Sequence, residues 1–224
     1  MFNNLRSLFI ILAAGLAFAS CKKEDVAQPV AGTTGKVAAT AESQSYFTTP
    51  DGAAYSYVDT TGAGISSTNV SSQKSLGDTT IGEISFAKVT RDGSHVNSYQ
   101  HSANGVTTMV AYNGADKITT TVLKANEPVG AVWTDEFTSA GIPTSYKWQI
   151  TEKGISKTVL GVTYDNVIKV HLLGTAKIGA KGATTAIANA DYYYAPNIGL
   201  IENVGYNPVS GAVELHRVFQ KKGK

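Results

Sequence analysis

Apolar and polar residues alternate over short stretches along most of the chain beyond residue 45. The pattern is plainest over residues 145–151. Tyr146, Trp148 and Ile150 fall on one side, and Ser145, Lys147 and Gln149 on the other. A half-buried strand requires this period of two. Residues 53–58 alternate likewise, with Tyr55 and Tyr57 on one face, and Ile84 shares a face with Phe86 within residues 80–90. Asn104-Gly105, ahead of residues 106–112, is a hairpin signal, because a tight hairpin turn needs residues that tolerate positive φ. Residues 117–123 are rich in threonine and β-branched side chains, which favour strands. Further strands are expected over 155–162, 166–173, 184–195 and 212–220. Arg217 interrupts the apolar side of the last one, and the glycine-rich stretch 174–182 reads as a connection. Pro50-Asp51-Gly52 is a turn signal. No stretch sustains the i, i+3, i+4, i+7 spacing of an amphipathic helix, and only residues 133–140 are expected to form a helical turn or two.

The strand pattern repeats. Thr80-Ile81-Gly82 followed by Lys88-Val89 parallels Val159-Leu160-Gly161 followed by Lys169-Val170. Tyr99 with Asn104-Gly105-Val106 parallels Tyr194 with Asn197-Ile198-Gly199-Leu200. The expected fold is therefore mainly β, a strongly curved antiparallel sheet or half-open barrel built from two related β-meander halves.

The first 25 residues follow a different logic. A short polar stretch with Arg6 precedes a continuous apolar run, Leu8 to Ala19, ending in Ala19-Ser20 before Cys21. The run is too short for a transmembrane helix, which needs about 20 apolar residues, and has the length of a signal-peptide core. The junction resembles the bacterial lipobox, with Phe18 where leucine is commoner. The resemblance implies cleavage before Cys21 and diacylation of its thiol. Two acyl chains hold a protein stably at a membrane, whereas one binds reversibly. Lys22-Lys23-Glu24-Asp25 resembles the charged stretch that follows the lipid cysteine in many Bacteroidota lipoproteins, and serves equally well as a soluble spacer. Residues 26–43 are small and polar, as in a tether. The expected organisation is a signal peptide over 1–20, a lipidated N-terminus and tether over 21–44, and one β-rich domain over 45–224, with halves 45–130 and 131–224.

Composition narrows the function. Of 224 residues, 42% are hydrophobic and only 16% charged, with a formal net charge of +2. So balanced a chain offers no electrostatic footprint for nucleic acid. A single cysteine excludes an intrachain disulfide and any Cys-based zinc site. The four histidines, His95, His101, His171 and His216, form no HExxH or HxH pattern, although His95 and His101 flank the same expected hairpin. Asp135-Glu136 is the most visible carboxylate pair, but adjacent strand residues point to opposite faces. No nucleophile elbow, phosphate loop or calcium loop occurs. No catalytic residue, metal ligand or cofactor is expected.

Tyr192 and Tyr194 should share a face while Tyr193 points away. Tyrosine and tryptophan combine a large apolar body with a polar tip, so they suit either a core or a ligand surface. The candidates for lining a ligand are Tyr55, Tyr57, Trp133, Trp148 and Tyr193.

Gly52-Ala53-Ala54-Tyr55-Ser56-Tyr57, Val129-Gly130-Ala131-Val132-Trp133 and Tyr193-Tyr194-Ala195-Pro196-Asn197-Ile198-Gly199-Leu200-Ile201 recur as a set. Together they resemble a group of Bacteroidota outer-membrane lipoproteins. The resemblance implies a strongly curved sheet, distantly similar to the half-open barrels of bacterial lipoprotein carriers, and supplies no catalytic residues. The expected function is a non-enzymatic ligand- or partner-binding module held by lipid on Cys21 at the outer membrane, on either leaflet. An apolar-ligand or lipid carrier, a surface glycan-binding protein and a hydrolase are the alternatives.

Overall fold

A computed structural model of the chain describes residues 45–47, 52–62, 67–91, 97–178 and 182–223. The strands are β1 (Ala54–Thr61), β2 (Ser67–Ile81), β3 (Ile84–Arg91), β4 (Asn97–Ala103), β5 (Val106–Asn113) and β6 (Asp116–Lys124), then β7 (Val132–Ser139), β8 (Ile142–Val159), β9 (Val162–Ile178), β10 (Ala183–Ala195), β11 (Gly199–Tyr206) and β12 (Val213–Gly223). They form one antiparallel sheet in the order β6-β5-β4-β3-β2-β1-β12-β11-β10-β9-β8-β7. Two six-stranded meanders are thus joined through the β1–β12 ladder, and the sheet curls until β6 meets β7 in a nearly closed barrel with one unsealed seam.

The repeated motifs occupy equivalent places. Thr80-Ile81-Gly82 closes the β2–β3 hairpin, the second strand pair of the first meander, and Val159-Leu160-Gly161 closes β8–β9 in the second. Asn104-Gly105 turns β4 into β5, as Asn197 and Gly199 turn β10 into β11. Asn104 and Asn197 both adopt positive φ, 50° and 61°, a conformation asparagine tolerates better than most residues.

The core is concentrated in the second meander, where Tyr146, Trp148 and Ile150 of β8, Ile168, Val170 and Leu172 of β9, and Ala188, Ala190, Tyr192 and Tyr194 of β10 pack together. Val122 and Leu123 of β6 and Trp133 of β7 join this cluster, so apolar burial crosses the seam. Gly174 lies opposite Tyr146 in the β8–β9 ladder. A β-carbon there would sit 2.8 Å from the Ala188 β-carbon and 2.9 Å from the Tyr146 ring, so glycine makes room for the tyrosine. A second cluster joins Ala53 and, from β1, Tyr55 and Tyr57 to Val159, Val167, Ile201 and Phe219.

Several expectations change in detail. Residues 133–139 belong to strand β7, not to helical turns, and Ala140 starts the turn that follows. Trp133, Phe137 and Ser139 alternate with Thr134, Glu136 and Thr138, and Asp135, on the apolar side, hides the period. Residues 80–90 and 155–162 are each broken by a hairpin turn. The connection expected over 174–182 shortens, because β9 continues to Ile178. β2 is rich in serine and threonine because part of its buried face serves a polar group. Asp59 is 4% and Arg217 2% exposed. Arg217 donates from Nε to Asp59 Oδ1 at 2.7 Å and from Nη2 to Oδ2 at 2.8 Å. Arg91 Nη2 and Ser71 Oγ donate to the same Oδ2 at 2.7 and 3.0 Å. The arginine that breaks the apolar face of β12 is thus paired with a buried carboxylate from β1, which meets it in the ladder. Burial alone would raise the Asp59 pKa, but the hydrogen bonds and positive charges hold it below the ordinary value. The Pro50-Asp51 turn residues, His95 and Cys21 lie outside the described residues.

Candidate functional site

Four of the five aromatic candidates are interior. Tyr55, Tyr57, Trp133 and Trp148 are all less than 10% exposed. Rings touch in sequence from Phe137 to Tyr146, Trp148, Tyr192, Tyr194 and Phe47, with centroid separations of 5.0–6.3 Å. Trp133 stacks on Trp148 at 6.5 Å with an interplanar angle of 11°. Tyr55 and Tyr57 flank Phe219 at 6.4 and 5.8 Å. These contacts pack the aromatic rings into the two core clusters.

The seam beside this aromatic row is closed by side chains in place of a backbone ladder. Asp135 Oδ2 accepts the Thr121 amide at 2.9 Å and the Trp148 indole N–H at 2.9 Å. The Trp133 indole donates to the Thr121 carbonyl at 2.5 Å. One residue of the β6 edge therefore has both backbone groups satisfied from β7. Further along, Asn113 Nδ2 donates to Ser139 Oγ and the Ala140 amide to Asp116 Oδ2, at 2.9 and 2.7 Å. Burial raises the Asp135 pKa, opposed by the Thr121 and Trp148 hydrogen bonds and by Lys124.

Tyr193 has the opposite placement. It faces away from stacked Tyr192 and Tyr194, is half-buried, and sits among charged groups on the other face of the sheet. Lys157 Nζ lies 4.1 Å and Lys169 Nζ 5.5 Å from its ring centre, within cation–π range. Ladder register gathers the rest: Tyr193 lies opposite Lys169 on β9 and Glu202 on β11, and Asp191 opposite His171. Asp191 Oδ1 is 2.8 Å from His171 Nδ1, and its Oδ2 is 3.2 Å from Lys169 Nζ and 3.1 Å from the Tyr206 hydroxyl, which donates. Glu202 bonds His216 Nε2 through Oε1 at 2.8 Å and Lys157 through Oε2 at 2.5 Å.

The electrostatics follow. Burial opposes ionisation of Asp191 and Glu202, yet hydrogen bonds from His171 and Lys169 to the first, and from His216 and Lys157 to the second, hold both below the ordinary carboxylate range. Burial and the Asp191 charge push the Tyr206 phenol up to about 12. Asp191 raises the Lys169 pKa against its own desolvation. At neutral pH Lys169, Asp191 and Glu202 are charged, and the patch around Tyr193 offers an aromatic face, amino groups and acceptors together. Among the described residues, no group of three or more His, Asp or Glu is placed to hold a metal.

Sequence reasoning missed this gathering. His171 and His216 carried no spacing signal, because their partners come from other strands and only the register joins them. The one available sign was Tyr193, set against the faces of its two neighbours. His101 stands apart: its Nδ1 is 2.8 Å from the Ser85 carbonyl and its ring 5.5 Å from Phe86. With Phe47, Asp78, Ser85, Gln100 and Ser102 it borders a shallow polar depression of about 200 Å³.

No protein-family model matches the chain, and no curated protein does. Among solved structures, a presumptive lipoprotein from Parabacteroides distasonis is similar over 81% of this chain and 100% of that one, at 12% identity and a TM-score of 0.54. A presumptive exported protein with a YmcC-like fold from Bacteroides fragilis aligns over 81% of this chain and 100% of that one, at 11% identity and a TM-score of 0.41. The likeness is one of fold.

Proposed function

We propose that the chain is an exported cell-envelope lipoprotein, anchored at the outer membrane through Cys21, whose barrel is a partner-binding module. The observation that carries the binding reading is the aromatic interior. The ring contacts running from Phe137 to Phe47 leave recognition to the outer surface, where Tyr193 sits with Lys157, Lys169 and Asp191. An aromatic face flanked by charges suits a polar partner, protein or glycan, better than an acyl chain. The leader and the Ala19-Ser20-Cys21 junction support the anchor.

Site-specific photo-crosslinking in intact envelopes tests the binding reading. A benzophenone side chain in place of Tyr193 is expected to give a discrete adduct, and one in place of interior Trp148 none. Adducts from position 148, or stoichiometric lipid co-purifying with the gently extracted protein, would favour the carrier instead.

A further inference from the structure

Two hairpins overshoot the sheet, and they do so at the same end. β1 pairs with β2 only up to Lys74, and β4 pairs with β3 only from Ala87, so residues 76–86 form a two-stranded arm with no third strand in its ladder, touched from β4 by the His101 side chain at Ser85 and Phe86. In the second meander β7 pairs with β8 up to Gln149, and β10 with β9 from Ile168. Residues 152–167 therefore form the equivalent arm. Antiparallel order places both arms at the end where β1 begins and β12 finishes.

The arms expose aliphatic side chains. Leu76 and Ile84 on the first are each 47% exposed, and Leu160 and Val162 on the second are 59% and 50% exposed. Leu160 sits in the β8–β9 turn with φ of 47°. Glycine, asparagine or aspartate suit that conformation and water alike, so a strained, exposed leucine there lacks a folding reason. The arm's other apolar residues are accounted for, since Ile155, Val159, Tyr164 and Val167 belong to the cluster with Tyr55 and Phe219.

Residues 45–47 lie at this end, between the arms. Asn197, in the β10–β11 turn, donates its amide to the Ser45 carbonyl at 2.7 Å. Tyr46 donates its hydroxyl to the Asn166 carbonyl at the base of the second arm, at 2.8 Å. Phe47 lines the depression with Asp78 and Ser85 of the first arm. The 24 residues from Cys21 to Ser45 reach at most about 85 Å.

We propose that the two arm tips, Ile84 on the first and Leu160 with Val162 on the second, are a membrane-contact rim that rests in the interface of the bilayer holding the Cys21 anchor. This rests on the anchor reading above. Exposed aliphatics at one end lose contact with water on entering the acyl boundary, and the anchor supplies the high local lipid concentration that makes a small apolar contact effective. The rim fixes which end of the barrel faces lipid and turns the opposite end, at the β11–β12 turn, outward.

The test uses the full lipidated chain in vesicles of phosphatidylethanolamine and phosphatidylglycerol. With the Cys21 thiol acylated, an introduced cysteine is the reactive one. Ile84→Cys, Leu160→Cys and Val209→Cys, each carrying an environment-sensitive dye, are compared with and without doxyl-labelled quencher lipids. Val209 is 91% exposed at the opposite end and serves as the reference. Several-fold stronger quenching at 84 and 160 than at 209 is expected. Vesicle flotation is scored first, which separates the two readings. Protein that floats but is quenched no more at 84 and 160 than at 209 overturns the rim alone. Protein that does not float overturns the anchor, and the rim with it. Val162→Cys replaces Leu160→Cys if the turn variant fails to fold.

Discussion

Trp148 donates its indole N–H to Asp135 Oδ2 at 2.9 Å, so the aromatic row of the second meander and the barrel's seam share one hydrogen bond. The carboxylate that the sequence offers as half of an acid pair is a structural acceptor. Its neighbour Glu136 is exposed and lies outside this contact.

Trp148→Ala removes a side chain that is 3% exposed and contacts Trp133, Tyr146 and Tyr192. Loss of an interior tryptophan costs about 3–5 kcal/mol. Trp148→Phe keeps much of the apolar volume but leaves Asp135 short of a donor, and is expected to cost about 1–3 kcal/mol. Denaturant unfolding measures both, and a loss below about 1 kcal/mol for the alanine variant would place Trp148 outside the core.

Asp135→Ala strips the acceptor from the Thr121 amide and the Trp148 indole together. Faster hydrogen exchange at the Thr121 amide is expected, with a stability loss of about 1–3 kcal/mol. Asp135→Asn retains an acceptor oxygen and should lose less. Unchanged Thr121 exchange in the alanine variant would show that the seam is held elsewhere.

How much was legible depended on what faced inward. Tyr146, Trp148 and Ile150 announced β8 because every inward position of that segment is apolar. β7 was misread because Asp135 occupies an inward position to serve the seam. β2 left little trace because Ser71, whose partner is Asp59, stands where a strand usually shows valine or isoleucine. The Tyr193 patch was visible only as one misdirected tyrosine. Its charged members are distant in sequence, and strand register, which single-sequence patterns do not fix, brings them together.

Asp59→Asn leaves Arg217, 2% exposed, facing a neutral partner. Breaking a buried pair from one side costs about 3–5 kcal/mol, whereas replacing both members with apolar residues of similar volume costs less. The double variant Asp59→Leu/Arg217→Met is therefore expected to be more stable than Asp59→Asn. A double variant less stable than the single one would mean that Arg91 and Ser71 depend on the carboxylate more than Arg217 does.

Acid should destabilise the barrel. Asp59, Asp191 and Glu202 have pKa values lowered by folding, so each contributes stability that is full above about pH 5 and lost as pH falls through its folded value. Asp135, raised by burial, has the opposite sign and offsets part of the loss. Melting measured from pH 7 down to pH 3 should show a falling midpoint, with a shallower fall in Glu202→Gln. A midpoint that stays level or rises on acidification would contradict the ion-pair geometry.

The anchor at Cys21 is the claim on which localisation and the membrane rim both stand, and metabolic labelling with a radioactive fatty acid tests it most directly. The wild-type chain is expected to incorporate label, to be cut before Cys21 and to fractionate with membranes, while Cys21→Ser is expected to remain unlabelled and unprocessed. A Cys21→Ser chain that still carries label into the detergent-rich phase, or a wild-type chain that carries none, would contradict the account.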